Sequence, residues 1–311
     1  MYKTMNILNK LCNWGNKDDD TIDIGIANLP NTLYKYYKYD EQYNENRLTS
    51  EIFFNSPTNF NDVFDAQHEV VNNIDAFQCY SKIRERLEEI GYSNSSDIIL
   101  KLKGEESEKY KMEVRKKQIE HVGVTCLTNN PLSILMWAYY TENCGYCIEY
   151  DVNAIRIEIE SLVQKEFIKK GIKANPTKRI QAGAVLYQHT LPSAPLFFKK
   201  GAKDQPFSKY FCKAKCWEHE NEYRIVLSLL PNTPLKFKDA VKSITFGYNI
   251  SIEKVQTILT LIANLNLEKK IEIYFLKKTK GRDAFEREKF SFTEKDVLKN
   301  LTDKVKSYQN L

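Results

Sequence analysis

Residues 122–151, VGVTCLTNNPLSILMWAYYTENCGYCIEYD, carry the pattern that decides the fold. The short apolar run at residues 122–128 predicts a buried strand. Residues 131–140 follow as a predicted helix with a proline at its start. Residues 145–150 predict a second strand, so this one stretch contains a strand, a helix and a strand in succession.

Strand and helix patterns continue on both sides of this stretch in an irregular order. Upstream, residues 33–39 (LYKYYKY) predict a strand or a short helix, and residues 51–55 predict a strand. Downstream, strands are predicted at 182–187, 223–230 and 289–293, helices at 154–172, 209–215 and from Glu294, and a strand–helix–strand unit at 241–246, 252–262 and 270–275. The irregular alternation favours an α+β fold with a mixed or antiparallel sheet over a doubly wound sheet.

The domain organisation follows from length and composition. A chain of 311 residues suits one large domain or two small ones. Residues 1–30 look like a lead-in, and residues 31–311 like a single α+β domain. Within it, residues 74–121 are rich in charge, with Ile83, Leu87 and Ile90 at helical spacing and a second helix candidate at residues 105–120. We therefore predict a helical insertion at about residues 74–121.

Charge and cysteine content narrow the class of protein. The net charge of +5, from 46 basic and 41 acidic residues, is only mildly basic, whereas a dedicated nucleic-acid binder has a stronger or more concentrated excess. The seven cysteines are an odd number in a chain with no visible secretory signal. No apolar run approaches the ~20 residues that span a bilayer. These features predict a cytoplasmic protein with free thiols and no membrane association.

An acidic row near residue 220 is the first candidate site. Glu220 and Glu222 are two residues apart, so on a strand they share one face, with Arg224 next along it. Two carboxylates on one face are costly to bury without a partner or a ligand. The row is therefore either the floor of a polar pocket, with Trp217 and Tyr223 as apolar walls, or an exposed strand face joined by ion pairs.

The loop at residues 58–65 (TNFNDVFD) is the second candidate. Its asparagine and aspartate side chains can cap a turn, or they can place Asn61 or Asp62 in a cleft, with Asp65 beside them. The same acids can instead bind a divalent metal ion, as in a nuclease. The ligand candidates for such a metal are Asp62, Asp65, Glu69, Glu220 and Glu222.

Cysteine and histidine residues raise two further questions. The pairs Cys144/Cys147 and Cys212/Cys216 have spacings that suit zinc, but the pairs are far apart in the sequence. Buried thiols are the preferred interpretation, and no metal is predicted. His219 adjoins the acidic row, either as an acid–base group or by chance. The chain has no glycine-rich nucleotide loop, which argues against a Rossmann or P-loop site.

Four separated segments resemble one bacterial family. They are residues 33–36 (LYKY), 53–65 (FFNSPTNFNDVFD), 126–151 (from CLTNN to CIEYD) and 217–225 (WEHENEYRI), and residues 244–247 (ITFG) fit the same order. Their order and spacing resemble the family called domain of unknown function 2971, over about residues 33–250. That family name implies no activity.

A second resemblance is to the ADP-ribosyltransferase superfamily, which includes the DarT-type toxins. Those proteins carry a basic residue on an early strand, a Ser, Thr or Tyr on a middle strand, and a Glu near the start of a late strand. The matching positions are Lys35, Thr128 and the pair Glu220 and Glu222. The superfamily usually has His or Arg at the first position, so Lys35 departs from its pattern. The resemblance implies a sheet core of ADP-ribosyltransferase-like type.

This second resemblance implies a bacterial effector enzyme, in a toxin or phage-defence setting, that cleaves NAD. ADP-ribose would pass to a protein or nucleic-acid acceptor, or to water. Glu222 and Glu220 would be catalytic, Lys35 would contact the phosphates, and Thr128 would orient the ribose. The remaining cofactor contacts implied are Tyr36, Trp137 and Tyr140, as stacking partners of nicotinamide, and Arg224. The alternatives are a metal-dependent nuclease or phosphodiesterase and a non-enzymatic sensor or binding module; the oligomeric state stays open.

Overall fold

The structure is a computed structural model that describes residues 26–66, 69–71, 88, 107–190, 193–195 and 208–291. Its strands, in chain order, are β1 Thr32–Tyr37, β2 Glu51–Phe54, β3 Glu69–Val71, β4 Val122–Thr128, β5 Tyr146–Asp151, β6 Ile180–Ala184, β7 Leu186–Gln188, β8 Ser193–Pro195, β9 Cys212–Ala214, β10 Glu222–Ser228, β11 Thr233–Lys236, β12 Val241–Phe246, β13 Glu272–Lys278 and β14 Phe285–Phe290. Its α-helices are α1 Glu41–Leu48, α2 Ser107–Glu120, α3 Ile134–Thr141, α4 Val152–Lys169 and α5 Ile252–Asn264.

One eight-stranded sheet organises the described residues, in the order β14-β13-β12-β5-β1-β4-β10-β6. Neighbouring strands are antiparallel except for β12 and β13, which are parallel. A parallel pair needs a long crossover, and α5 supplies it here. The fold is therefore mixed α+β with a large mixed sheet, and the predicted class and the predicted strand–helix–strand unit are confirmed.

The two faces of the sheet differ in their cover. Helices α4 and α5 lie on one face, where Ile155, Ile159 and Ile258 join fully buried strand residues such as Ile148 and Ile225 in the main core. Helix α3 lies on the other face. Because side chains alternate along a strand, that second face carries Tyr34, Thr128 and Glu222, which are linked through the strand register. Lys35 pairs with Ile148 and therefore starts from the first face.

The sheet is weakly joined between β1 and β4. Their register consists of the single pair Tyr34 and Thr128, whereas β1 pairs with β5 from Thr32 to Tyr37 and β4 pairs with β10 along its whole length. The two strands therefore diverge beyond that pair and leave a gap, across which Lys35 of β1 donates to the Cys126 carbonyl of β4.

Several predicted elements need correction. Helix α3 begins at Ile134, because the Ser133 hydroxyl accepts a hydrogen bond from the backbone N–H of Met136 and caps it; Pro131 lies in the preceding loop. The helix predicted at residues 209–215 is wrong. Residues Ser208–Phe211 form a 3-10 turn that leads into β9, which pairs in parallel with β7.

Other boundaries shift by smaller amounts. The strand predicted at 182–187 is two strands, β6 and β7, and the last predicted strand, at 289–293, lies earlier, as β14. Residues 33–39 form a strand, as one of the two predicted options. Helix α2 confirms most of the helix predicted at residues 105–120. The predicted tail helix and, apart from residue 88, the rest of the insertion, with Ile83, Leu87 and Ile90, lie outside the described residues.

Packing begins before residue 31. Residues 1–25 lie outside the described part, but Leu29 is buried in the main core. Arg156 of α4 holds this segment, because its Nε donates a 2.9 Å hydrogen bond to the Ile26 carbonyl. In the described residues, no helix is both long and apolar enough to cross a membrane.

Candidate functional site

Lys213 of β9 lies at the centre of a buried group of charges. Its Nζ lies 2.5 Å from Glu220 Oε2, 3.4 Å from Glu222 Oε2 and 3.5 Å from Asp65 Oδ2. All four side chains are buried. The alternative of an exposed strand face joined by ion pairs is therefore wrong, because the acidic row faces the protein interior.

Arg224 completes this group, which we call the charge cluster (Asp65, Lys213, Glu220, Glu222, Arg224). Its Nε and Nη2 donate to the two oxygens of Glu222 at 2.6 and 3.0 Å, and Nη2 also donates to Asp65 Oδ2 at 2.7 Å. Nη1 donates to the Tyr210 carbonyl at 2.7 Å. Such fork-shaped pairing is the strong form of a charge-assisted hydrogen bond. With all groups ionised, three carboxylates face two cations, so the cluster carries one negative charge.

The two glutamates are not on one strand. Glu220 ends the 3-10 helix Lys215–Glu220, Asn221 has a left-handed backbone with φ 46°, and Glu222 begins β10. The prediction that strand geometry places them on one face is therefore wrong. Asparagine adopts this left-handed backbone more readily than most residues, and the resulting turn still directs both carboxylates to Lys213.

Neighbouring elements hold Glu220 in place. The Tyr140 hydroxyl of α3 donates a 2.5 Å hydrogen bond to Glu220 Oε1. The Thr128 hydroxyl at the end of β4 donates to the Glu220 carbonyl at 2.6 Å and accepts from the Asn130 N–H at 3.0 Å. Helix α3 and strand β4 thus fix the position of Glu220, which lies just before β10.

The two glutamates titrate in opposite directions. Burial would raise the pKa of Glu222, but Arg224 and Lys213 outweigh it and the pKa falls to about 2. For Glu220, burial is the largest influence and, with the negative charge of Glu222, it raises the pKa despite Lys213. Neighbouring acids whose pKa values are driven apart are typical of acid–base sites, although structural ion pairs can also produce them.

A pocket of about 150 Å³ opens beside the cluster. Its aromatic lining consists of Tyr34, Tyr36, Phe60 and Tyr140. Its charged lining consists of Lys35, Asp65, Lys213, Glu220 and Glu222. An engineered apolar cavity of about 150 Å³ binds benzene, so this pocket has room for a single ring and not for a dinucleotide.

Lys35 reaches this pocket from β1 across the gap between β1 and β4. Its Nζ donates to the Cys126 carbonyl at 2.8 Å and to the Thr125 hydroxyl at 3.2 Å. Within the described residues it has no ion-pair partner. Burial lowers its pKa below the ordinary lysine value, and the ammonium has a third hydrogen for another acceptor.

Two of the proposed cofactor contacts lie away from the pocket. Trp137 is fully buried; its Nε1 donates to the Pro131 carbonyl at 2.9 Å and its ring packs edge-on against Tyr36, with centroids 5.1 Å apart. It has no free face for stacking and instead supports Tyr36. Arg224 is also fully buried, and its nitrogens bond within the protein. It can influence a ligand only through Glu222 and Asp65.

The two residues proposed as apolar walls also lie elsewhere. Trp217 packs over Lys213, with Nζ 5.1 Å from the ring centroid, and against Tyr139 at 5.8 Å. It shields Lys213 from the side. Tyr223 packs against the main core, on the opposite face of the sheet. The pocket walls come from Tyr34, Tyr36, Phe60 and Tyr140 instead, because these side chains share a face with Glu222 or lie in the facing loop and helix.

The loop at residues 58–65 contributes two of its three candidates. Asn61 and Asp65 line the pocket. Asp62 does not; its Oδ1 accepts a 2.9 Å hydrogen bond from the Phe64 N–H, and it stabilises the turn. The functional interpretation of this loop therefore applies to Asn61 and Asp65, and the turn-forming interpretation applies to Asp62.

A metal centre has little support in the described part of the chain. No group of three or more histidine, cysteine, aspartate or glutamate side chains there is placed to hold a metal ion. Lys213 and Arg224 occupy the space between the carboxylates. The side chain of Glu69 lies outside the described part.

The two predicted cysteine pairs and His219 form no metal centre among the described residues. Cys144, Cys147, Cys212 and Cys216 are not in disulfide bonds, and Cys147 and Cys212 are buried. His219 does not line the pocket; its Nδ1 lies 3.1 Å from the Cys216 carbonyl oxygen.

Several contributors escaped the sequence analysis, among them the pocket walls Tyr34 and Phe60. Lys213 comes from a three-residue strand that reads as part of a helix, and Tyr187 accepts a 2.8 Å hydrogen bond from the Glu222 N–H. A pair of buried acids implies a cation nearby, but the spacing along the chain does not say which of its many lysines supplies it.

Comparison with known proteins reaches only part of this site. Residues 136–225 match the model of a family described as "Protein of unknown function (DUF2971)". The match supports the family resemblance from within α3 to within β10, including Tyr140, Lys213 and Glu222. It does not extend to Lys35, Asp65 or Thr128. Comparisons with curated proteins and with solved structures gave no match.

Proposed function

We propose that the protein is an ADP-ribosyltransferase-like enzyme that cleaves the bond between nicotinamide and ribose in NAD. The observation that carries this proposal is the pair Glu220 and Glu222, whose pKa values move in opposite directions beside a pocket of single-ring size. The order of Lys35, Thr128 and the glutamates along the chain, and the mixed sheet, support the same class of enzyme.

The charge of the cluster suits the chemistry of this reaction. When the glycosidic bond breaks, its electron pair leaves with nicotinamide, and the ribose carbon develops positive charge, as in glycoside hydrolysis. A fixed, desolvated negative charge stabilises such a transition state. Water or an acceptor nucleophile then bonds to the ribose carbon and loses a proton.

The two glutamates receive different roles. Glu222 has both oxygens held by Arg224 and a pKa of about 2, so it serves as a fixed negative charge. Glu220 has a raised pKa although Lys213 and Tyr140 each donate to one of its oxygens, so it is the better acid–base group for the incoming nucleophile. Lys213 keeps Glu220 close to the pocket.

The aromatic lining suits the leaving group. Tyr36 and Tyr140 offer ring faces and edges to nicotinamide, and the pocket volume matches one ring. The rest of NAD would lie outside the pocket. The position of Lys35 gives no support to the phosphate contact implied for it, because its Nζ bonds to β4 within the pocket lining. Thr128 lines the pocket, but its hydroxyl is engaged by Glu220 and Asn130, so we assign it to positioning Glu220.

The test is a nicotinamide-release assay. Purified protein is incubated with NAD, with and without bacterial extract and with and without chelator. We expect release that survives the chelator and falls at least 100-fold in Glu220→Gln, because acid–base groups contribute roughly 10²–10⁴-fold. The control Tyr139→Phe, an exposed neighbour outside the pocket, keeps its activity. Release by no preparation of folded protein contradicts the proposal.

The acceptor and the biological setting have their own test. Labelled NAD shows whether ADP-ribose becomes attached to protein or nucleic acid in the extract or is released as free ADP-ribose. As a bacterial effector, the protein is expected to slow growth when expressed in bacteria, and Glu220→Gln to relieve that effect. Growth inhibition that persists in Glu220→Gln would separate toxicity from this chemistry.

A non-enzymatic binding module is the second candidate. It is favoured by the saturation of Glu222, whose two oxygens and backbone N–H all have partners within the protein. On this alternative the cluster is a structural support and the pocket binds a ligand without transforming it. A metal-dependent nuclease is favoured by no comparable observation, and the chelator arm of the assay addresses it.

A further inference from the structure

One oxygen of the charge cluster has no partner within the protein. Asp65 is 5% exposed. Its Oδ2 accepts from Arg224, but its Oδ1 is buried without a hydrogen-bond partner. A buried carboxylate oxygen without a donor costs free energy. Because Asp65 lines the pocket, a hydrogen-bond donor of a bound molecule can satisfy this oxygen.

Lys35 supplies the complementary group. Its side chain starts from the main-core face, where Ile148 is its register partner, and its ammonium donates to two acceptors of β4 in the gap between β1 and β4. Lys35 lines the same pocket, and its ammonium has a third hydrogen. The pocket thus offers one acceptor without a donor and one donor without a third acceptor. A molecule that bears a donor and an acceptor side by side would satisfy both.

The remainder of the pocket indicates the shape of that molecule. Its walls are the rings of Tyr34, Tyr36, Phe60 and Tyr140, and its volume of about 150 Å³ admits one ring. A flat ring with a primary carboxamide has this shape, since the amide presents N–H and C=O groups on one small substituent.

We propose that Asp65 and Lys35 together recognise the carboxamide of nicotinamide, with Asp65 Oδ1 accepting from the amide N–H and Lys35 donating to the amide oxygen. This inference rests on the proposed function and names the group by which the site selects its substrate. The acid analogue, nicotinate, brings a carboxylate against Asp65. Two acceptors of like charge then meet without a hydrogen between them, so the acid form is rejected.

The experiment compares binding of nicotinamide and nicotinate to the full-length protein by ligand-observed NMR. We expect nicotinamide to bind at least about 100-fold more tightly, because sites that hydrogen-bond one group strongly reject analogues that leave buried groups unpaired. Benzamide and benzoate form a second pair of probes and should show the same preference. Equal binding of amide and acid, or binding of neither, overturns the inference.

A matched pair of variants assigns the selectivity to one residue. In Asp65→Asn the side-chain amide can donate to a carboxylate, so the preference for the amide should fall at least tenfold. Asp62→Asn changes the same loop outside the pocket and should keep the wild-type preference. Circular dichroism checks that both variants fold. If Asp65→Asn does not fold, the comparison of nicotinamide and nicotinate binding to the wild-type protein decides the matter alone. An unchanged preference in folded Asp65→Asn overturns the role of Asp65.

Failure of the inference and failure of the proposed function have different signatures. Selective binding of nicotinamide without any release from NAD rejects the enzyme and keeps the recognition. Release of the ring at equal rates from NAD and from its nicotinic acid counterpart keeps the enzyme and rejects the recognition.

Discussion

Arg224 Nη2 donates a 2.7 Å hydrogen bond to Asp65 Oδ2 and thereby joins positions 159 residues apart in the chain. The same guanidinium donates to Glu222, so it connects the loop at residues 58–65 to β10. That loop carries Phe60 and Asp65 into the pocket. The pocket's shape therefore depends on one fully buried arginine that no ligand needs to touch.

Replacing Arg224 should destabilise the protein strongly. Arg224→Met leaves the buried carboxylates of Glu222 and Asp65 without their main partner, and removal of one member of a buried ion pair costs about 3–5 kcal/mol. Urea unfolding measures the loss. Lys270→Met is the control, since its pair with Asp239 is exposed and such pairs contribute less than about 1 kcal/mol. Equal losses in the two variants would contradict a special role for Arg224.

Acid should weaken the fold through Glu222. Its pKa of about 2 lies below the ordinary value of 4.5, so its contribution to stability is fully present above pH 4.5 and is lost as the pH falls towards 2. We expect the free energy of unfolding of the wild type to decline in that window and Glu222→Gln to flatten the decline.

Glu220→Gln provides the contrast for this titration. The pKa of Glu220 is raised by burial, so the folded protein gains stability as the pH falls through that raised value. Glu220→Gln should change how the free energy of unfolding depends on pH above 4.5, the ordinary pKa of glutamate. The loss of stability in acid should remain. Identical profiles for the two variants would show that the glutamates do not differ in this way.

Tyr140 should tune Glu220 as a positioning residue. Tyr140→Phe removes the 2.5 Å hydrogen bond to Glu220; a bond to a charged group contributes about 1.5–3 kcal/mol. We expect at least about tenfold slower nicotinamide release. The limb of the pH–rate profile that reports Glu220 should shift to higher pH, because the hydrogen bond from Tyr140 favours the ionised carboxylate. Tyr139→Phe, on the same helix, should change neither. A lower rate with an unshifted pH profile would indicate a merely structural role.

Trp137 should matter for stability and not for ligand affinity. Trp137→Phe removes the hydrogen bond to Pro131 and part of the contact with Tyr36; the lost hydrogen bond alone is expected to cost about 1 kcal/mol or more. Thermal unfolding measures this loss, and KM for NAD in the folded variant should change less than twofold. A large rise in KM at wild-type stability would restore the stacking role implied by the ADP-ribosyltransferase resemblance.

The elements that the sequence predicts well are those with local signals. The apolar run of β4 and the serine-capped, amphipathic α5 carry their own patterns, and both are found where expected. The region from 208 to 220 fails because its short 3-10 turns and three-residue strand have no period of their own. Its conformation depends on pairing with β7, which a local pattern does not encode.

The residues of the candidate site also divide into those with a local sequence signal and those without one. Glu220, Glu222 and Arg224 are close in sequence, and their charges alone indicated a site. Lys213 and Asp65 join them only through tertiary packing. The burial that excludes Trp137 from the pocket also depends on packing, because an aromatic residue on an apolar helix has the same signature whether its ring faces a ligand or the core.

The weak seam between β1 and β4 has a consequence for the timing of assembly. Strand β1 is synthesised early, yet both of its neighbours, β4 and β5, come much later in the chain. Contacts between such distant segments form slowly, since the intervening loop must close first. The pocket also needs β9 and β10, which follow later still. A nascent chain that ends before β10 therefore has no pocket, and whatever chemistry the site performs begins only after synthesis has passed that strand.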